Sequence, residues 1–188
     1  ICDKLNLNVW ELIKFANHHP RVNILQPGPG VGGHCIAVDP WFIIDSAPVQ
    51  AKMIKLARLI NDEMPNVVIN KINQKVSKIS KAISELSIAC LGLSFKPDID
   101  DLRESPAIKI AKHVCSMGFK KNYVVEPNIK NLPVELNPQC TELVGLEQAL
   151  TSSDIILLLV DHSSFKEINL SLLSGKQIID TRGALTHK

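Results

Sequence analysis

The spacing of apolar residues along this chain changes once, near residue 86. Upstream, Ile1 and Leu5 precede Val9, Leu12, Ile13, Phe15 and Ala16, and a longer series runs Met53, Leu56, Ala57, Ile60, Val67, Val68, Ile72, Val76, Ile79, Ile83 and Leu86. Steps of three and four place such residues on one stripe of a helix. Residues 1–18 therefore read as a helical stretch followed by a short helix, with Asn8 placed to cap the turn that starts at Val9. His18-His19-Pro20 closes it, because proline pushes His19 out of helical geometry. From about Val49 to Leu86 the pattern is helical, and Pro65 is expected to break or kink it into two helices. Asn61 sits among apolar neighbours, so a polar contact is expected for it.

Downstream the runs become short and continuous. Ser87–Leu93 suits a buried parallel strand, and Tyr123–Glu126, Asp154–Val160 and Gln177–Asp180 read as three more. Ser105 as cap and Pro106 in the first turn open a helix to about Met117, ended by Gly118, and Gly145–Thr151 is a short helix. Strands alternating with helices predict an α/β fold: a helical segment, residues 1–86, then a Rossmann-like, doubly wound parallel sheet, residues 87–188.

Between the two helical stretches, Gln26-Pro-Gly-Pro-Gly-Val-Gly-Gly-His-Cys-Ile-Ala-Val-Asp-Pro40 fits neither helix nor regular strand. It is a loop whose peptide N–H groups are free to face a ligand or a developing oxyanion, and it delivers the thiol of Cys35 with Asp39 four residues on. A buried cysteine after a tight turn is the plainer alternative. The same glycines do not make a dinucleotide fingerprint: Gly28, Gly30, Gly32 and Gly33 are mis-spaced and no strand precedes them.

Composition narrows the classes. A net charge of +2 with both signs dispersed gives no reason to invoke nucleic acid or membrane, and Lys120-Lys121 reads as a solvated connection. Five cysteines show no CxxC spacing; Cys90 and Cys115 lie in apolar runs and read as packed thiols, which fits a reducing cytoplasm and argues against disulfides. No run approaches the ~18 apolar residues of a membrane span. The chain opens at Ile1, inside an amphipathic pattern, and reads as the C-terminal part of a longer protein.

In doubly wound sheets ligands gather at the carboxyl ends of the strands. Ser94–Arg103, Glu126, Asp161-His162 and Thr181-Arg182 fall there. Lys96 and Arg103 stand where glycines usually cradle phosphate, so cationic side chains would carry a diphosphate contact. The alternative is that both pair with Asp98, Asp100 or Asp101 on the surface, a serious one for Arg103.

Two blocks carry a family resemblance. Pro20–Phe42 resembles the cysteine loop of the UDP-glucose/GDP-mannose dehydrogenase family, and Leu91-Gly-Leu-Ser-Phe-Lys-Pro-Asp-Ile-Asp-Asp-Leu-Arg-Glu-Ser-Pro-Ala107 resembles the opening of that family's C-terminal nucleotide-binding domain. The first is most similar to the branch that oxidises UDP-N-acetyl-D-mannosamine. The resemblance runs from residue 1 to about Gly183. It implies a UDP-sugar substrate, NAD as cofactor, a homodimer formed through central helices, and an NAD domain with a catalytic lysine and asparagine upstream of Ile1. It implies Cys35 and Asp39 as catalytic residues and His19, Arg21, Gly32, Phe95, Lys96 and Arg182 as substrate-binding residues. Arg103 would reach NAD, and no residue is assigned to a metal. At Arg182 closer relatives often have lysine, which keeps the charge and changes the geometry. For His19 and Arg21 the plainer reading is a pair of cations at a helix end.

Cysteine suits an alcohol-to-acid oxidation because an aldehyde has no second hydride to give until a nucleophile adds to it. Asp39 is placed to activate the hydrolytic water, or else merely closes a turn with Pro40; His34 diverges from its neighbour and is not cast as the base for Cys35. The rivals are a UDP-binding or dimer-forming module without catalysis, a UDP-glucose or GDP-mannose dehydrogenase, and a metal site from His18, His19, His34 and Cys35, which lack ligand spacing.

Overall fold

The computed structural model describes residues 1–185. Four helices come first: α1 (Cys2–Leu5), α2 (Val9–Ala16), α3 (Asp39–Ser46) and α4 (Lys52–Val76). The α/β part follows as β1 (Ser87–Leu91), α5 (Pro106–Ser116), β2 (Lys121–Val125), β3 (Thr141–Leu143), α6 (Leu146–Ser152), β4 (Ile155–Leu158) and β5 (Gln177–Asp180). Local chemistry sets the helix starts that were legible. The Asn8 side chain accepts the N–H groups of Trp10 and Glu11, and Ser105 accepts those of Ala107 and Ile108 ahead of Pro106.

All five strands are parallel, in the order β3-β2-β1-β4-β5. The register pairs Leu91 with Val125 and with Leu158, and Leu158 with Asp180. Four carboxyl ends therefore finish level, and the loops after them share one rim. Ile88, Cys90, Val124 and Leu157 face a core completed by Ile110 and Val114 of α5 and by Val68, Ile69 and Ile72 of α4. Ala89, Leu91, Ile156 and Leu158 face the opposite core, with Leu150 of α6, Phe165 and Leu173. Helices thus cover both faces, as the strand–helix alternation predicts.

Pro65 does not divide the long helix: α4 runs unbroken through 25 residues with Pro65 inside it. Proline removes the N–H that would bond the carbonyl of Asn61 four residues back. That carbonyl lies beside Gly30, where an added Cβ would meet it at 3.4 Å. Burial beyond the proline, with Ile72 at 0 % exposure, holds the helix through the interruption.

Two other expectations are corrected. Val68 and Ile72, in the central helix through which the resemblance implies a homodimer, are core residues, and Val67 is half-buried. The exposed apolar stripe lies nearer the start of α4, where Met53, Leu56, Leu59 and Ile60 stand open to solvent. Cys115 is not a packed thiol: at the end of α5 it forms a disulfide with Cys140, just before β3, with Cα atoms 5.9 Å apart. Residues 25 apart gave no spacing signal; the return of the chain from β2 to β3 brings them together. Among the described residues no helix is long and apolar enough to cross a membrane.

Candidate functional site

The glycine loop packs against the loop that follows β1. Gly33, at φ +88°, donates its N–H to the carbonyl of Arg103 at 3.0 Å, and a Cβ there would meet the Phe95 ring at 2.9 Å. Only glycine combines that backbone angle with that approach. A side chain on Gly32 would run into the Glu104 carbonyl and Pro106. Two further groups hold the loop. Arg182 donates from Nη1 to the Pro27 carbonyl at 3.3 Å while its Nε donates to Asp161 at 2.7 Å. Asn61 accepts the Val31 N–H at 2.7 Å and donates to the Val31 carbonyl at 3.1 Å, which is the polar contact its sequence position called for.

Cys35 is exposed, unlike Cys90, whose thiol burial pushes up to about 12. The carbonyl of Cys35 accepts the N–H groups of Val38 and Asp39 at 2.9 and 2.8 Å, so one helical turn leads from the thiol into α3. Asp39 and Pro40 open that helix rather than close a turn, and the exposed Asp39 carboxylate stands one turn from Cys35. Helix α3 itself was not legible. Trp41 and the exposed Phe42 and Ile43 follow one another and trace no single stripe.

The loop after β1 is held from below. Glu126, 4 % exposed at the end of β2, accepts the N–H groups of Leu93 and Ser94 at 2.7 and 3.0 Å and pairs with His162 Nε2 at 3.0 Å. His162 Nδ1 accepts the Asp98 N–H at 2.9 Å, which fixes the ring's proton on Nε2, facing Glu126. Burial raises the Glu126 carboxyl, but the donors from His162, Leu93 and Ser94 together outweigh it and leave the group below its ordinary value. Asp98 holds φ +60°; its carboxylate accepts the hydroxyl and N–H of Ser163, at 2.5 and 2.8 Å, which lower its pKa. Sequence position placed Glu126 and His162 at the rim; their pairing depends on strand register and had no local signal.

Phe95 and Lys96 ride on this loop. Phe95 is half-buried against the glycines, and Lys96 is exposed with no ion pair among the described residues, so its alternative pairing with Asp98, Asp100 or Asp101 is not formed. Arg103 does take that alternative: its Nε lies 3.0 Å from both Asp101 oxygens and its Nη2 2.5 Å from one of them. The side-chain and backbone hydrogen bonds from Arg103 push the Asp101 carboxyl down to about 2. Asp101 in turn raises the guanidinium, through its hydrogen bonds and its charge. His19 and Arg21 are exposed, and the Arg21 N–H donates to His19 Nδ1 at 3.2 Å; among the described residues no hydrogen bond or ion pair joins either to the Phe95-Lys96 loop. One rim therefore gathers a thiol, a free lysine, an aromatic ring and two arginines. A dinucleotide cradle would keep the N–H groups after β1 open, whereas Glu126 occupies those of Leu93 and Ser94.

Residues 89–187 match the UDP binding domain of the UDP-glucose/GDP-mannose dehydrogenase family, and residues 1–63 match its central domain. The chain is 52% identical, over 187 residues, to the UDP-N-acetyl-D-mannosamine dehydrogenase of Escherichia coli, covering 97% of this chain and 44% of that protein. It is also 52% identical, over all 188 residues, to an NDP-N-acetyl-D-galactosaminuronic acid dehydrogenase of Ralstonia nicotianae, of which it covers 43%. Among solved structures, the UDP-D-ManNAc dehydrogenase of Pyrococcus horikoshii superposes with a TM-score of 0.84 at 32% identity, over 98% of this chain and 43% of that one. The chain thus spans less than half the length of the relatives it matches.

Proposed function

The chain belongs to the UDP-glucose/GDP-mannose dehydrogenase family, and from that premise we propose that it carries the UDP-sugar site and the nucleophilic thiol of an NAD-dependent dehydrogenase. The substrate proposed is UDP-N-acetyl-D-mannosamine, oxidised at C6 to the uronic acid. The observation that carries this reading is the contact of Gly33 with Arg103 and Phe95, which sets the cysteine loop against the Phe95-Lys96 turn. The Lys96 ammonium would meet the diphosphate, and the Phe95 ring would cover the nucleotide beside it. NAD, when bound, accepts hydride. These residues offer it no dinucleotide cradle, and Arg103, the residue expected to reach it, is bound to Asp101.

The work of this chain lies in the carbon–sulfur steps. Once the primary alcohol has become an aldehyde, Cys35 Sγ adds to the carbonyl carbon and the thiol proton passes to oxygen, giving a thiohemiacetal. Loss of the second hydride from that carbon and of the hydroxyl proton to solvent leaves a thioester on Sγ. Water, oriented by the Asp39 carboxylate one turn away, adds to it, the C–S bond breaks, and the acid leaves with the thiol restored. Loop N–H groups and Arg103 would steady the oxyanion.

Equal identity to the galactosaminuronic acid enzyme makes the N-acetylhexosamine epimer the second reading. Calorimetric titration separates the cases. The chain should bind UDP and leave GDP and NAD unbound, and the full-length enzyme should oxidise one UDP-N-acetylhexosamine in preference to UDP-glucose. Failure to bind UDP would overturn the assignment. UDP binding without turnover in the full-length enzyme would reduce the chain to a binding module.

A further inference from the structure

Asn61 is a polar residue on a helix whose neighbours are apolar, and the proposed reaction gives it no part. It reaches across 30 positions of sequence to hold both polar groups of Val31, N–H at 2.7 Å and carbonyl at 3.1 Å. An amide side chain that meets one residue's N–H and C=O together fixes that peptide in position and in orientation. The second N–H of Asn61 points at Asp62, at 3.4 Å, and Asp62 is held at 2.7 Å by Arg58, itself 8 % exposed. The clamp is therefore braced from inside α4 rather than free to swing.

Two backbone features make room for it. Gly30 takes φ +131°, and any Cβ there would press on Pro106 at 3.2 Å and on the Asn61 carbonyl at 3.4 Å. Pro65, four residues beyond Asn61, has no N–H to give that carbonyl, so the helix leaves an acceptor open where the loop arrives. Proline, asparagine and glycine together form a seat on α4 for the loop, four residues before Cys35.

We propose that Asn61 is a positioning residue for Cys35, setting the path of Val31–Cys35 so that the thiol addresses the sugar carbon held at the Phe95-Lys96 turn. Arg182 and Arg103 hold the same loop from the sheet domain, at Pro27 and Gly33; among the described residues Asn61 alone hydrogen-bonds it from α4. The loop that meets the sugar carbon is thus held from α4 and from the sheet loops together. This rests on the dehydrogenase reading for its catalytic part only.

The experiment has two arms. Amide hydrogen exchange of the protein reads the clamp directly: in Asn61→Leu, which keeps the shape and removes both bonds, Val31 and Gly33 should exchange about tenfold faster or more, as loss of hydrogen bonds worth about 1 kcal/mol each implies. Strand β1 and helix α5 should be unchanged. Asn61→Asp, which keeps only the acceptor, should fall between, and Asn66→Ala, on the same helix and with a side chain that hydrogen-bonds Glu63 alone among the described residues, should match wild type. In the full-length enzyme Asn61→Leu should lower kcat at least tenfold with KM for the nucleotide sugar within about twofold. Unaltered exchange at Val31 would overturn the clamp, and faster exchange with unchanged kcat would overturn its positioning role. Neither outcome depends on whether UDP binds, which tests the functional reading separately.

Discussion

Gly33 and Arg103 are joined by one backbone hydrogen bond of 3.0 Å, and it ties the cysteine loop to the loop that follows β1. The thiol and the free lysine come from segments some sixty positions apart, and this bond brings their loops into register. Replacing Gly33 by alanine adds a Cβ at φ +88° and drives it toward the Phe95 ring at 2.9 Å. Gly33→Ala should therefore destabilise the protein by about 1–3 kcal/mol, the usual cost of a strained backbone position, and lower nucleotide-sugar turnover beyond the loss of folded protein. Denaturant unfolding beside specific activity checks both.

Lys96 and Arg103 are the two cations of the loop after β1, and among the described residues Arg103 is paired with a carboxylate while Lys96 has no ion pair. Lys96→Ala should weaken UDP binding by about 1.5–3 kcal/mol, the range for a hydrogen bond to a charged group. Arg103 is committed to Asp101, so Arg103→Ala should leave UDP affinity nearly unchanged. Calorimetric titration of both variants decides this. Equal losses would mean that the diphosphate is shared.

Much of this arrangement is written locally. The period change near residue 86, the caps at Asn8 and Ser105, and the glycine spacing in the cysteine loop are readable because each is decided within a few residues. What sequence missed is decided at a distance. Pro65 stays inside α4 because the Asn61 carbonyl it releases sits at the loop and because Ile72 is buried beyond it. Strand β3 has three residues, Thr141–Leu143, too few to show a period. Glu126 meets His162 only after β2 and β4 have taken their places beside β1, and Cys115 meets Cys140 only when the chain returns to β3.

Acid should loosen the loop after β1 before it unfolds the sheet. Asp101, pushed down to about 2 by the Arg103 hydrogen bonds, has a folded pKa below its unfolded value of about 3.9. Its contribution is present in full above about pH 4 and is lost as pH falls through the folded value near 2. Glu126 is lowered in the same sense by His162, Leu93 and Ser94, against the effect of its burial. The stability gap between wild type and Asp101→Asn should therefore narrow between about pH 4 and pH 2. Urea unfolding across that range measures it; a gap that widens in acid would contradict the assignment.

Met53, Leu56, Leu59 and Ile60 leave an apolar stripe on the first half of α4 at exposures of 83, 58, 49 and 59 %. Stripes of this kind mark partner surfaces, and a two-fold pairing of identical helices is the commonest way to cover one. Light scattering at tens of micromolar should report a dimer, and Leu56→Glu with Ile60→Glu should return a monomer that still binds UDP. A clean monomer in the unaltered protein would leave the stripe without this explanation.

The most direct test concerns Cys35 itself. Full-length enzyme quenched in acid during turnover, with NAD and UDP-N-acetyl-D-mannosamine present, should carry a uronyl thioester on the peptide that contains Cys35, found by mass and removed by hydroxylamine. Cys35→Ser should show no adduct and make no acid, while binding UDP as wild type does. Acid formation at an undiminished rate by Cys35→Ser, or an adduct on any other residue, would contradict the account.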